Sequence, residues 1–148
     1  MTNESLKERL KNEGLTPDSE GDVKLADCSL SVQVSGKSVL FVAKKSAKAE
    51  LLLAPESDYT HQADQMGVSQ ESKIGESEFD DRYVIRDPDG QASSVLTADV
   101  IAAVEALEPF VELQLSKRQY RLLKEGLDEG QAVKAIRDLE KLVGLTSS

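Results

Sequence analysis

The sequence predicts an α+β domain: a mainly antiparallel sheet of five or six strands, two amphipathic helices on one face and a short N-terminal helix. Three observations lead there. Phe79 to Phe110 offers a core strand, a tight reversal and a capped amphipathic helix in succession. Apolar residues alternate with polar ones from Leu30 to Val34 and from Val111 to Leu115, with further strand-like runs at Val39–Ala43, Ala49–Ala54 and Tyr120–Leu123. The chain then closes on an apolar stripe at helical spacing.

Taken in order, Asn3 or Thr2 caps a helix running to about Glu13, with Leu6 and Leu10 on one side and Arg9 placed to pair with Glu13. Gly14 ends it. Positions 1–22 are expected to be this helix and a polar linker, and 23–148 a single domain. From Val23 the period becomes two: Leu30, Val32 and Val34 make a strand, Ser35-Gly36-Lys37 a turn, and Val39 to Ala43 a second strand. After Lys44-Lys45-Ser46, Ala49 to Ala54 gives a third, and the expectation is an antiparallel meander. Between Pro55 and Phe79, Ser57 to Met66 suits a short helical turn and Val68 to Ile74 a weak edge strand.

In the strand from Phe79, Tyr83 and Ile85 point one way while Asp80, Arg82 and Arg86 point the other, and Asp81 falls on the apolar face. Asp87-Pro88-Asp89-Gly90 is a well-specified turn. Ala92 to Leu96 suits a helical turn, and Thr97 then caps a helix over Ala98–Glu108 whose stripe is Val100, Ile101, Val104 and Leu107. Pro109 stops it. Val111, Leu113 and Leu115 pair across Ser116-Lys117-Arg118 with Tyr120, Leu122 and Leu123. The last helix, Asp128–Val143, opens on a capping box with Gln131, pairs Lys134 with Asp138 and ends at Gly144.

Composition excludes several functions. With 148 residues the chain suits one domain that buries roughly 70% of its unfolded surface. Eighteen basic against 27 acidic side chains leave a net charge of −9, and positions 61–100 alone hold nine acids against three bases. Nucleic acid and anionic membrane surfaces need a positive footprint, so neither is an expected partner. No apolar run approaches the roughly 20 residues of a bilayer span, and Met1 to Lys7 lacks the regions of a signal peptide, so a cytoplasmic protein without membrane insertion is expected.

Catalytic patterns are also poor. Ser31 to Ser38 ends like a phosphate-binding loop, but Ser31 replaces the first glycine and a strand follows where a helix is needed. Cys28 and His61 are the lone thiol and imidazole, which leaves no multi-histidine or paired-cysteine site. Glu76, Glu78, Asp80 and Asp81 form an acidic run that reads as a solvated strand entry, partly neutralised by Arg82 and Arg86. Lys44, Lys45 and Lys48 read as a solvated turn guarding a sheet edge. No cofactor, metal or enzymatic activity is assigned.

Gly75, the strand Glu78-Phe79-Asp80-Asp81-Arg82-Tyr83-Val84-Ile85-Arg86, the Asp-Pro turn and the Leu96-Thr97 helix start resemble a bacterial domain of unknown function. Its members carry a Phe-Asp-x-Arg-Phe/Tyr-x-Val/Ile strand followed by a Leu-Thr helix start. The resemblance covers roughly positions 51–145 and implies no catalytic residues. Element order alone is similar to that of type III secretion chaperones, which implies a homodimer. The leading expectation is a non-enzymatic module for protein interaction or self-association, through the open sheet face or an edge strand. The alternatives are a small-molecule-binding domain with a cleft between sheet and helices, and a chaperone-like homodimer. Asp80, Asp81, Arg82, Tyr83, Arg86 and Tyr120 are the candidate contacts.

Overall fold

Gly36 and Lys37 join two seven-residue strands, β2 (Ser29–Ser35) and β3 (Ser38–Lys44), with Ser35 opposite Ser38. Gly36 has φ 60° and no other residue type adopts positive φ among the described residues, so the reversal is the two-residue kind with glycine first. It is a hairpin, and the phosphate-loop likeness ends there. In a computed structural model that describes residues 1–26, 28–55, 83–88 and 90–148, this hairpin lies in a seven-stranded, wholly antiparallel sheet. The other strands are β1 (Asp22–Lys24), β4 (Leu51–Pro55), β5 (Tyr83–Arg86), β6 (Glu112–Leu115) and β7 (Tyr120–Glu125). Four helices accompany them among the described residues: α1 (Asn3–Asn12), α2 (Ala92–Val95), α3 (Ala98–Ala106) and α4 (Glu129–Thr146).

The strand order is β1-β2-β3-β7-β6-β4-β5, which corrects two expectations. The sheet has seven strands among the described residues, because Asp22–Lys24 pairs with β2 through only three residues, too short for a sequence period to reveal. The meander stops at β3: the β6–β7 hairpin enters between β3 and β4. The connection after Lys44 therefore crosses the end of that hairpin, where Ala47 N donates to Ser116 O at 2.9 Å. Lys44 lies in an interior strand, so it guards no edge. Among the described strands, the one ending at Arg86 is itself the sheet edge.

Register makes one face continuously apolar. Val23, Leu30, Ala43, Tyr120, Leu115 and Leu51 form one cross-sheet row; Val32, Phe41, Leu122, Leu113, Leu53 and Ile85 form the next. These rows share one core with Leu6 and Leu10 of α1, Val100, Ala103 and Val104 of α3, and Ala132, Ala135, Ile136, Leu139, Leu142 and Val143 of α4. At about 1.5–3 kcal/mol for each fully buried large aliphatic side chain, this layer dominates the favourable side of folding.

Local signals set the helix starts. Thr2 and Ser5 form a capping box on α1, and Asp128 and Gln131 form one on α4. Thr97 has extended backbone at the start of α3 but makes no side-chain cap bond. Asp87 instead accepts from Gln91 N and Ala92 N at 2.8 and 2.7 Å and fixes the turn into α2. Gly144 does not end α4. The helix continues to Thr146 because the last turn is fastened from outside: Lys48 N donates to Thr146 O at 2.9 Å, and Tyr120 shares a 2.6 Å hydroxyl bond with Thr146.

α1 docks by its apolar face and by polar ties. Its Asn3 carboxamide pairs with the β2 backbone, accepting from Val34 N at 2.8 Å and donating to Val34 O at 3.1 Å. Ser5 Oγ donates to Glu129 Oε1 at 2.8 Å; the backbone N–H of Glu129 itself chiefly holds this carboxylate below its ordinary pKa, and the Ser5 bond adds to that.

Candidate functional site

All of the described helices with buried faces in the main core cover one side of the sheet, which leaves the other side to contact something else. Side chains alternate along each strand, and the register converts that alternation into rows on the second face. Asp22, Ser31, Val42, Arg121, Gln114, Leu52 and Arg86 cross all seven strands in one line. Gln33, Leu40, Leu123 and Glu112 form a second line beside it.

Leu40, Val42, Leu52 and Leu123 are half-buried there, and Arg121 is exposed. No described helix covers these rows. At the β4–β5 end the same face carries Ala54 and Val84, 4% and 6% exposed and outside the main core. Its centre is thus apolar side chains set among the amides of Gln33 and Gln114, the Glu112 carboxylate and the Arg121 guanidinium.

The β1 margin of this face is electrostatically closed. Asp22 is 5% exposed and bonds Lys44 Nζ through Oδ2 at 2.6 Å. That bond raises the Lys44 pKa above its ordinary value. Asp18 Oδ1 accepts from Asp22 N and Glu20 N at 3.0 and 2.9 Å, and the Asp22 N–H is the main cause holding its carboxyl below the usual range. Lys24 reaches Ser29 Oγ at 3.1 Å. These charges serve one another and leave the middle of the sheet as a surface that no described helix covers.

The candidate contacts from sequence scatter. Asp80, Asp81 and Arg82 lie outside the described residues, as do His61, Asp89 and the remainder of the acidic run. Tyr83 is 4% exposed in the core, donates its hydroxyl to Glu108 and stacks on Phe110 with ring centres 5.4 Å apart and planes 5° apart. Tyr120 is fully buried; desolvation raises its pKa. Strands β6 and β4 separate the two tyrosines. Of the described candidates, only Arg86 reaches the second face, where it lies opposite Leu52.

Leu40, Val42, Arg121 and Leu123 were not among the candidates, although a signal exists. Val39-Leu40-Phe41-Val42-Ala43 is an unbroken apolar run, the mark of a strand with apolar groups on both faces. Lys124 is the other unforeseen residue. It is 6% exposed on the core face, and its Nζ donates to Leu107 O at 2.7 Å, at the C-terminal end of α3. Burial lowers its pKa, and the nearby Lys134 charge adds to that.

No helix among the described residues is long and apolar enough to cross a membrane. The fold is similar to the crystal structure of the mycobacterial trehalose monomycolate transport factor A, TtfA, at a TM-score of 0.57 and 10% identity, covering 97% of this chain and 93% of that one. At that identity the likeness is one of fold. No family model matches the chain, and no curated protein matches it in sequence.

Proposed function

We propose that the chain is a non-enzymatic interaction module whose second sheet face holds a protein partner or a second copy of itself. One observation carries this reading: Leu40, Val42 and Leu123 adjoin on β3 and β7, with Leu52 beyond β6 in the same rows, on a face that no described helix covers. Apolar groups left together at the surface of a sheet mark contact sites, and Arg121 beside them supplies one of the residue types enriched in such contacts. A similar fold is carried by a protein described as a transport factor.

The test places a photo-crosslinking residue at Leu40 or Leu123 in the full chain and follows mass by light scattering across concentration. Self-association predicts a dimer that crosslinks at these positions and becomes monomeric in Leu123→Lys with unchanged circular dichroism. A heterologous partner predicts a monomer whose crosslinks to one protein disappear in the same variant. A monomer without position-specific crosslinks overturns the reading.

A further inference from the structure

A cavity of about 160 Å³ lies beneath α1, between its inner stripe, the loop through Pro17 and Gly21, and the start of β1 and β2. We propose that it is a binding site for a small carboxylate with a compact apolar tail, of the size of benzoate. Four observations combine. The walls are Leu6, Leu10, Pro17, Val23 and Val32, so the interior rewards an apolar group and gives water few partners. The volume matches that of an apolar protein cavity, on the order of 150 Å³, that holds benzene.

The polar groups select the head. Lys7 lines the cavity one position from Leu6, is exposed, and makes no ion pair among the described residues. Neighbouring acceptors are committed elsewhere: the Asn3 carboxamide serves Val34, Asp18 serves two backbone N–H groups, and Asp22 serves Lys44. An anion at the mouth therefore meets the Lys7 ammonium, which no direct ion pair occupies among the described residues, while its tail enters the apolar space. The site is separate from the second sheet face: Val23 and Val32 belong to the core-side rows.

Methyl NMR of the full chain tests this with three probes: benzoate, benzyl alcohol of like size without charge, and acetate with charge but no tail. Benzoate is expected to shift the methyls of Leu6, Leu10, Val23 and Val32 saturably in the millimolar range, benzyl alcohol to bind about tenfold more weakly, and acetate not to shift them. Lys7→Gln, at an exposed helix position, should reduce benzoate to the level of benzyl alcohol. Val32→Phe should fill the cavity and abolish binding, and Val32→Met does the same more gently if the larger side chain prevents folding. The proposal is overturned if benzoate leaves these methyls unmoved, if benzyl alcohol binds as tightly, or if both Val32 variants bind as the natural chain does. None of these results bears on the second sheet face, which the crosslinking experiment reads separately.

Discussion

The C-terminal ends of α3 and α4 are fastened by opposite chemistry. At the end of α4, Thr146 Oγ1 donates back to Leu142 O at 2.8 Å and meets the Tyr120 hydroxyl, while Ser148 N donates to Ser46 O at 3.0 Å. Every group in these bonds is neutral. At the end of α3, two ammonium groups converge on the last carbonyls: Lys124 on Leu107 O, and Lys134 on Ala106 O at 3.4 Å. A helix C-terminus carries partial negative charge, so cations are favoured at it. One lysine is buried and the other solvated. The difference teaches that an inward-pointing lysine on a strand can be a structural group, its stem packed in the core and its head spent on a helix end.

The largest test of that contrast is Lys124→Ala, which removes the stem and leaves the Leu107 carbonyl without its donor. A loss of about 3 kcal/mol is expected in urea unfolding. A loss under roughly 0.5 kcal/mol would show that the lysine holds nothing. Tyr120→Phe deletes only a hydroxyl, and Thr146 keeps its bond to Leu142, so about 1 kcal/mol is expected with an unchanged m value.

Alkaline titration should then separate the two ends by sign. Burial raises the Tyr120 pKa above 10.0, so the unfolded chain loses that proton first, and this group's stabilising contribution falls as pH climbs past 10. Burial lowers the Lys124 pKa below 10.5, so the unfolded chain keeps that proton longer, and this contribution rises as pH climbs from the folded pKa toward 10.5. Stability measured against pH in Tyr120→Phe should lose the descending component, and in Lys124→Met the ascending one. Either variant retaining the natural curve in its window would remove the assigned cause. Smallest of all is Lys134→Met. Its side chain is 66% exposed and pairs with Asp138 at the surface, so under about 0.5 kcal/mol is expected, and less still in high salt.

What the sequence made legible was local. Asp128 and Gln131 form their capping box, Arg9 pairs with Glu13 at 3.1 Å, and Tyr83 and Ile85 face the core as alternation required. All three depend on residues within one turn or one strand. The arrival of β7 beside β3 depends on the pairing of Phe41 with Leu122, which no short window contains. Gly144 misleads for the same reason: the contacts that extend α4 come from Tyr120 and Lys48. The second sheet face was hidden because Leu40 and Leu123 become neighbours only through that distant pairing.

The carboxamide of Asn3 stands in for a missing strand. β1 shields only Ser29 to Ser31 of β2, and farther along this one amide occupies both the N–H and the carbonyl of Val34. A chain clipped after Asn3 would present bare backbone on that side, the geometry to which other polypeptides add as extra strands. Trimming the first three residues should accordingly turn a well-behaved preparation into one that forms higher species on standing, visible as growing light scatter.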